Sequence, residues 1–244
     1  MQQTLGLIGV GAFGEFMLKH ITPYFNIKIF DAHRGLENIS KLYRAVPSSL
    51  TDIAQCNIII LAVPVRAMER TLKDIAPHLK DGQLVIDVAS VKLMPATLMK
   101  QYLPKGVDMI GLHPLFGPQS GKFGIHNFNI ALCNIAGTRD SCVKEFLETH
   151  LGLNVYETTP EDHDKQMAYV QLLTHLIAKA FVKINPPDLI LTTKTYTLLC
   201  DMVELIRYDS DELFKAIQTD NPFALETKER FFNAMRELED LLRH

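Results

Sequence analysis

The chain has 244 residues, of which 47% are hydrophobic and 22% are charged, a balance typical of globular proteins and unlike that of disordered ones. This length predicts one large or two modest domains with a sizeable core. The formal net charge of −3 and the absence of Lys/Arg runs disfavour nucleic-acid binding. The longest apolar run, Ile58–Val65, is interrupted by Pro64 and is too short to cross a bilayer, so we expect no membrane association.

The N-terminal apolar stretch carries no basic segment and runs directly into glycines. We interpret it as a strand and not as a signal peptide. Four cysteines show neither a CxxC pair nor metal-ligand spacing, namely Cys56, Cys133, Cys142 and Cys200. We expect them to be buried thiols in a reducing cytoplasm, and we expect no metal site.

Short apolar runs alternate with amphipathic stretches through the first half of the chain. Continuous Val/Ile/Leu runs are typical of buried parallel strands, and strands that alternate with helices predict an α/β fold with a doubly wound sheet. The predicted strands are Thr4–Gly9, Asn26–Asp31, Ile58–Val63, Leu84–Val88, Asp108–Leu112, Ile130–Ala136 and Asn154–Tyr156. The main predicted helices are Phe13–His20, Val65–Pro77, Pro95–Tyr102 and Asp140–His150.

The pattern changes at Thr159. The run Thr159-Pro160-Glu161-Asp162 combines a helix N-cap, a proline at the first helical position and acidic residues in the first turn. A helix is predicted from there to Ile184, and the segment after Asn185-Pro186-Pro187 shows only helical patterns. The sequence therefore predicts two domains, an α/β dinucleotide-binding domain over residues 1–158 and an all-helical domain over residues 159–244.

The predicted helical domain has apolar residues on several helix faces. So small a domain cannot cover all of them by itself, so we expect the helices of two protomers to pack together in a homodimer. The alternative is one compact helical bundle in a monomer.

A glycine-rich motif, Gly9-x-Gly11-x-x-Gly14, follows the first predicted strand and opens a helix. This context is typical of Rossmann-type dinucleotide-binding domains, in which the glycines permit a tight turn, close approach of a pyrophosphate and close packing of helix on strand. Phe13 lies inside the motif and belongs to the same predicted site.

Asp31 lies 22 residues after Gly9, at the end of the second predicted strand. An acidic residue there binds the ribose hydroxyls of the cofactor and repels a 2′-phosphate, which predicts NAD. Arg34 could pair with such a phosphate and leaves NADP possible. Ala62-Val63-Pro64 ends a third strand; it either lines the nicotinamide ribose or simply stops the strand.

Ser90 and His113 follow neighbouring predicted strands. Ligands of open parallel sheets bind at the carboxyl ends of the strands, so both residues are candidates for catalysis. A histidine titrates near neutral pH and can take a proton from a hydroxyl group as hydride leaves the same carbon, while a serine hydroxyl orients its ring. The alternative is a purely structural histidine.

His175 lies in the long predicted helix on one face with Gln171 and Met167. We expect either a contact with substrate across the cleft between the domains or an ordinary hydrogen bond between helices. The run Asp162-His163-Asp164 lies in the first turn of that helix, where capping and dipole compensation explain its acidic residues without chemistry.

The run Asp87-Val88-Ala89-Ser90-Val91-Lys92, the segment His113–Lys122, Asp162-His163-Asp164 and Thr174-His175 together resemble the prephenate/arogenate dehydrogenase family. The form of the His113–Lys122 segment, with Thr193–Tyr196 and Asp209-Ser210, is most similar to plant-type arogenate dehydrogenases. The resemblance implies oxidative decarboxylation of a cyclohexadienol with hydride transfer to a nicotinamide cofactor.

The resemblance also implies roles for individual residues. His113 would draw the proton from the ring hydroxyl, Ser90 would orient His113, and His175 would be a group on the substrate side. Asp209 matches the acidic residue that arogenate-type members carry opposite the substrate's ammonium group, which favours arogenate over prephenate. The expected polar lining of the substrate site consists of Lys92, Ser120, Gln171 and Lys194.

Two positions depart from the family pattern: Gln119 stands where Glu is usual, and Lys179 stands where plant-type members have Arg. Lys194 and Arg207 are candidates for the group that binds the substrate carboxylate. Two other functions stay open, another Rossmann-plus-helical oxidoreductase acting on a β-hydroxyacid or imine, and a non-catalytic dinucleotide-binding protein.

Overall fold

A computed structural model describes residues 3–243, and the chain divides into two compact units, 1–160 and 161–244. The first unit is an α/β domain and the second is wholly helical within its described part. The fold class predicted from the sequence is therefore confirmed. The division lies close to Thr158, the boundary that the sequence predicts.

The first unit is built on an eight-stranded sheet of order β3-β2-β1-β4-β5-β6-β7-β8. Neighbouring strands are parallel, except that β6 and β7 pair antiparallel. The strands are β1 (Thr4–Ile8), β2 (Asn26–Phe30), β3 (Val46–Pro47), β4 (Ile58–Leu61), β5 (Leu84–Asp87), β6 (Asp108–Pro114), β7 (Asn129–Ala136) and β8 (Asn154–Glu157). The helices are α1 (Ala12–Ile21), α2 (Glu37–Tyr43), α3 (Leu50–Ile53), α4 (Val65–Ile75), α5 (Leu93–Tyr102) and α6 (Asp140–Thr149), with a 3-10 turn at Ala76–His78.

The central strands are apolar on both faces because helices cover both sides of the sheet. All four residues of β4 are buried, and so are all four of β5. Helix α4 buries Val65, Met68, Leu72 and Ile75, whose spacing places them on one face. Each such side chain contributes about 1.5–3 kcal/mol to the free energy of unfolding when it is fully buried. The apolar cores formed by the sheet and its helices therefore hold the strand ends in fixed positions.

Strand β6 continues to Pro114, two residues beyond the predicted end. The reason is its antiparallel neighbour, which the sequence pattern does not reveal: His113 pairs with Ala131 and Pro114 with Ile130 across β6 and β7. His113 therefore lies near the carboxyl end of β6, an interior strand of the sheet, and not in the loop that follows it.

The second unit comprises α7 (Pro160–Ile184), α8 (Lys194–Ile206), α9 (Asp211–Thr219) and α10 (Ala224–Leu242). Its buried apolar clusters are small. One joins Leu172, Ile217 and Ala224, and the other joins Ala178, Val203 and Ile206. Much of the apolar surface of these helices stays exposed, as expected of helices that pack against another chain.

Helix α7 is long and apolar enough, by length and composition alone, to cross a membrane. The sequence pattern predicted this helix, but only the shorter apolar run at Ile58 was weighed there against the thickness of a bilayer. Core helices of soluble proteins pass the same test, and α7 buries three ionisable side chains, those of His163, Asp164 and His175.

The expectation of four buried thiols is wrong. All four cysteines are free, but only Cys56 and Cys133 are buried, whereas Cys142 is exposed and Cys200 is partly exposed. Cys142 lies in the first turn of α6 and Cys200 on α8, where helix faces reach solvent. Burial raises the pKa of the Cys56 thiol.

Candidate active site

The glycine motif forms the turn between β1 and α1. Gly9 has φ 94°, a left-handed conformation that glycine adopts without strain, and a side chain there would collide with the carbonyl oxygen of Ala62. A side chain at Gly14 would collide with the Gly9 carbonyl. Gly11, by contrast, faces open space and forms the N-cap of α1 without a side-chain hydrogen bond. The first amides of α1 therefore have room in front of them for an anionic group.

Asp31 follows β2 and fixes the glycine turn through its carboxylate. The backbone N–H of Val10 donates to Oδ2 at 2.8 Å, and those of His33 and Arg34 donate to Oδ1 at 2.9 and 3.0 Å. Partial burial acts to raise the pKa of Asp31, but the three N–H donors together outweigh it and hold that pKa below its usual value. Asp31 is thus an ionised acceptor beside the glycine turn.

Arg34 is already paired. Its guanidinium lies 2.7 Å from a carboxylate oxygen of Glu15 and donates to the Val10 carbonyl at 2.8 Å. A 2′-phosphate would have to compete with Glu15 for this cation. The arrangement of Arg34 and Asp31 therefore favours NAD over NADP.

The remaining residues predicted to bind the cofactor lie near the same turn. Ala62 and Val63 follow β4 and are partly buried, and the exposed Pro64 forms the N-cap of α4. The backbone N–H of Ala62 donates to the Ile8 carbonyl, which joins this segment to β1. Phe13 lies in the first turn of α1. Whether these residues contact a cofactor stays a prediction.

A buried ion pair joins the ends of β5 and β6. The ammonium of Lys92 lies 2.5 Å from Oδ1 of Asp87, and both side chains have 0% exposure. The same ammonium donates to the Leu112 carbonyl at 2.7 Å, and the backbone N–H of Ala89 donates to Asp87 at 2.9 Å. Residues next to both Ser90 and His113 are therefore held by one charge pair.

This geometry bears on the expected role of Lys92 as a lining residue of the substrate site. A fully buried ammonium with an ionic partner and a carbonyl acceptor presents no surface to a ligand. The contacts of Lys92 point to support of the two strand ends, and its contact with substrate stays an untested prediction.

Ser90 and His113 lie at the same edge of the sheet, because Asp87 and Gly111 are register partners in parallel strands. His113 is buried, with 4% exposure, and Ser90 is partly exposed. Within residues 3–243, the Ser90 hydroxyl makes no hydrogen bond to another protein group. Catalytic hydrogen bonds are often formed only when substrate binds, and the orienting role of Ser90 stays a prediction.

Ser120 shapes the segment after His113. Its hydroxyl accepts a hydrogen bond from the backbone N–H of Gly117 at 3.0 Å and so closes a local turn. Gln119 is exposed on this turn. Binding of substrate by Ser120 stays a prediction.

The second unit brings together four of the polar residues singled out in the sequence. Nδ1 of His175 lies 2.8 Å from the Gln171 carbonyl, and Nε2 lies 3.1 Å from a carboxylate oxygen of Asp209. The ammonium of Lys179 donates to the Asp209 backbone carbonyl at 3.3 Å. Both ring nitrogens of His175 therefore face oxygen atoms, one of a backbone carbonyl and one of the Asp209 carboxylate.

The side chain of Gln171 is not part of this contact, which uses its backbone carbonyl. Lys194 opens α8 and is exposed, and Arg207 lies 3.1 Å from Glu204 on the surface of the same helix. Neither candidate for binding the substrate carboxylate belongs to the His175–Asp209 pair in the described residues.

Capping and dipole compensation were expected to explain the acidic residues of Asp162-His163-Asp164, and the structure adds that two of the three residues are buried. His163 and Asp164 are 2% and 0% exposed, and Nδ1 of His163 lies 2.8 Å from Asp164. Asn221 donates to the Asp164 carbonyl at 2.7 Å. The acidic residues of this turn are consistent with compensation of the helix dipole. The burial of His163 and Asp164 becomes visible only in the structure, where the α9–α10 connection packs against the turn.

No group of three or more His, Cys, Asp or Glu side chains in the part of the chain described is arranged to hold a metal.

Comparison with known families agrees with these features. A model of the prephenate dehydrogenase nucleotide-binding domain matches residues 31–152, and a model of the prephenate dehydrogenase dimerization domain matches residues 159–244. The chain belongs to the prephenate dehydrogenase family. The family predicted from the motifs is thereby confirmed, as is a nucleotide-binding domain followed by a dimerisation domain.

Two relatives illustrate the range of the family. Arogenate dehydrogenase 1, chloroplastic, of Arabidopsis thaliana is 30% identical over 98% of this chain and 39% of its own length. The probable arogenate/prephenate dehydrogenase of Methanocaldococcus jannaschii is 29% identical over 77% of this chain and 44% of its own length. The chain thus spans less than half the length of either relative.

Solved structures share the fold. Prephenate dehydrogenase from Aquifex aeolicus, in complex with hydroxyphenyl propionate and NAD+, gives a TM-score of 0.77 at 20% identity over 99% of this chain and 91% of that one. Synechocystis arogenate dehydrogenase gives 0.72 at 20% identity over 98% and 92%. These values establish the common architecture.

The buried ion pair leads to a prediction about stability. Lys92→Met leaves the Asp87 carboxylate buried without its cation, and we expect a loss of about 3–5 kcal/mol in the free energy of unfolding. Urea denaturation followed by circular dichroism measures it. Adding Asp87→Asn to Lys92→Met should recover part of the loss, because no buried charge remains. Lys100→Met, on the exposed face of α5, is the control; equal losses in the two lysine variants would contradict the assignment.

Asp31 leads to a prediction about pH. Its pKa in the folded protein lies below the unfolded value of 3.8, so its stabilising effect is present above pH 3.8 and is lost as pH falls through the folded pKa. Asp31→Asn should therefore lower the free energy of unfolding by about 1 kcal/mol at pH 6 and by less near pH 3, since partial exposure weakens hydrogen bonds to charge. Urea titrations at several pH values test this. Asp188→Asn, at an exposed loop position, should show no such trend, and a difference that grows toward pH 3 would refute the sign.

Proposed function

We propose that the protein is an NAD-dependent dehydrogenase that oxidises and decarboxylates a cyclohexadienol bearing a ring carboxylate, with arogenate preferred to prephenate. The observation that carries the proposal is the position of His113, buried at the carboxyl end of β6, at the sheet edge where the glycine turn lies. Family membership supports the same reaction class.

Each group of this chain has a distinct task in the proposed reaction. His113 accepts the proton of the ring hydroxyl, and Ser90 orients its imidazole when substrate binds. The glycine turn and Asp31 would hold NAD, which would supply the acceptor for the hydride on the carbon that carries this hydroxyl. Loss of carbon dioxide then leaves an aromatic ring, which makes the reaction strongly downhill. Asp87 and Lys92 keep the two strand ends in register, so His113 is positioned before substrate arrives.

The proposed cofactor is NAD because of the groups around the glycine turn. The ionised Asp31 accepts hydrogen bonds from ribose hydroxyls, and Glu15 neutralises Arg34, a cation beside the turn that could bind a 2′-phosphate. The open space at Gly11 and the uncapped amides of α1 accommodate the pyrophosphate.

Asp209 supports the choice of arogenate. An amino acid side chain brings an ammonium group where prephenate has a keto group, and a carboxylate binds the former better. Asp209 lies beside His175, and its own carbonyl accepts a hydrogen bond from Lys179, so its position is fixed from two sides. We propose that this cluster binds the amino acid side chain of the substrate.

We further propose that the protein is a homodimer through its helical unit. The matched domain is named for dimerization, and α10 exposes an apolar stripe of Leu225, Phe232, Met235 and Leu242 at spacings of seven, three and seven residues. A sedimentation mass of one chain, 27.6 kDa, would contradict this proposal.

A cytoplasmic location is proposed on the basis of the four free thiols, which persist in reducing compartments. The names of the plant relatives place those proteins in the chloroplast. Recovery of the protein from the membrane fraction of cells would argue against this location.

The proposed base is tested by His113→Asn. We expect turnover with NAD to fall by about 10²–10⁴-fold, the range typical of a lost general base, while NAD binding changes little. NADH absorbance measures turnover and calorimetry measures binding. His78→Asn, at an exposed position, is the control and should be unaffected. A rate for His113→Asn equal to that of the control would remove His113 from the mechanism.

The proposed substrate is tested by comparing arogenate and prephenate in parallel. The wild-type protein should turn over arogenate, and Asp209→Asn should lower the ratio of kcat/KM for arogenate to that for prephenate by about 10–100-fold, the value of one charged hydrogen bond. Asp211→Asn removes an exposed carboxylate close to Lys179 and should leave the ratio unchanged. A wild-type preference for prephenate would keep the chemistry and overturn the choice of substrate.

A further inference from the structure

The first unit contains an apolar cavity of about 390 Å³, under α1 and α6 on one face of the sheet. Its floor is formed by apolar side chains of the central strands, including Ile60, Ile86 and Leu112. Five phenylalanine rings also line it, those of Phe13, Phe16, Phe25, Phe116 and Phe146. Sites for small molecules commonly have volumes of about 300–1,000 Å³ and mainly apolar walls, so this cavity has the size and character of a binding site.

His20, one of the residues that line the cavity, has a buried ring nitrogen without a partner among the described residues. Nε2 of His20 is buried and forms no hydrogen bond in the part of the chain described. Burial, and then the nearby charge of Lys19, lower the pKa of His20, which keeps the imidazole neutral at physiological pH. An unsatisfied buried nitrogen costs about 1–3 kcal/mol, and a ligand with one hydroxyl group would relieve that cost.

Few other polar groups reach the cavity. Arg139 contributes to its lining, but Nε of this residue lies 3.6 Å from the carboxylate of Asp108, so its charge is partly compensated. Burying an anionic ligand among the apolar walls would carry a large desolvation cost. The lining therefore selects a neutral polar group and an aromatic body.

We propose that this cavity binds a small substituted phenol, whose ring packs among the phenylalanine side chains and whose hydroxyl forms a hydrogen bond with His20 Nε2. The cavity shares Phe13 with the glycine motif and Pro114 with the strand that carries His113, and the proposal does not depend on the reaction proposed above.

The probe for the first experiment is 4-propylphenol, titrated into the full-length protein by calorimetry. We expect saturable binding. We also expect intermolecular NOEs between the probe and the methyl groups of Ile60, Ile86 and Leu112 in methyl-labelled protein. Absence of saturable binding, or NOEs only to methyl groups elsewhere, would overturn the proposal.

Two comparisons test the assigned hydrogen bond and ligand class. His20→Leu should weaken 4-propylphenol binding about tenfold, the effect of one hydrogen bond, whereas His78→Leu at an exposed position should not. The carboxylate analogue 4-propylbenzoate should bind at least about tenfold more weakly than the phenol. Unchanged affinity in His20→Leu, or tighter binding of the benzoate, would refute the phenol assignment.

Discussion

The buried contact between Asp87 and Lys92 is the interaction on which the candidate active site depends. Two fully buried charges are expensive to desolvate, and the pair persists because each charge also bonds backbone: Asp87 accepts from Ala89, and Lys92 donates to Leu112. Those backbone groups belong to the segments that carry Ser90 and His113. The charge pair therefore joins the segment after β5 to the end of β6, which an apolar side chain of similar volume could not do.

Asp31 holds the glycine turn as Asp87 holds the segment that carries Ser90. Each is an aspartate at or just after the end of a parallel strand, and each accepts hydrogen bonds from backbone N–H groups of the segments beside it. The turn at Gly9 and the segment at Ser90 are thereby fixed by side chains that are already in place without a ligand. Such preorganisation lowers the entropy cost of binding a dinucleotide and a substrate together.

The sequence was sufficient for features that depend on local pattern. Continuous apolar runs predicted the strands, and the position of Gly9 and Asp31 relative to those strands predicted the nucleotide-binding domain. Features that depend on tertiary packing were not accessible in this way. The extension of β6 through His113 requires an antiparallel neighbour, and the burial of His163 and Asp164 requires the turn at Asn221 to pack on them. Nothing in the residues of α6 alone distinguishes the exposed Cys142 from a buried thiol.

The helical unit differs from the α/β unit in that it has more apolar surface than its own small clusters can cover. Helix α7 is apolar enough to suit a bilayer, yet it buries His163, Asp164 and His175. Two of its polar contacts, to Asp209 and Asn221, come from the connections between the later helices. Ionisable groups are rare in membrane-spanning helices and need protein partners when they occur. The pattern of α7 therefore favours a helix covered by protein on several sides. The apolar stripe of α10 indicates that part of that cover belongs to a second copy of the chain, which would make the helical unit complete only in the dimer.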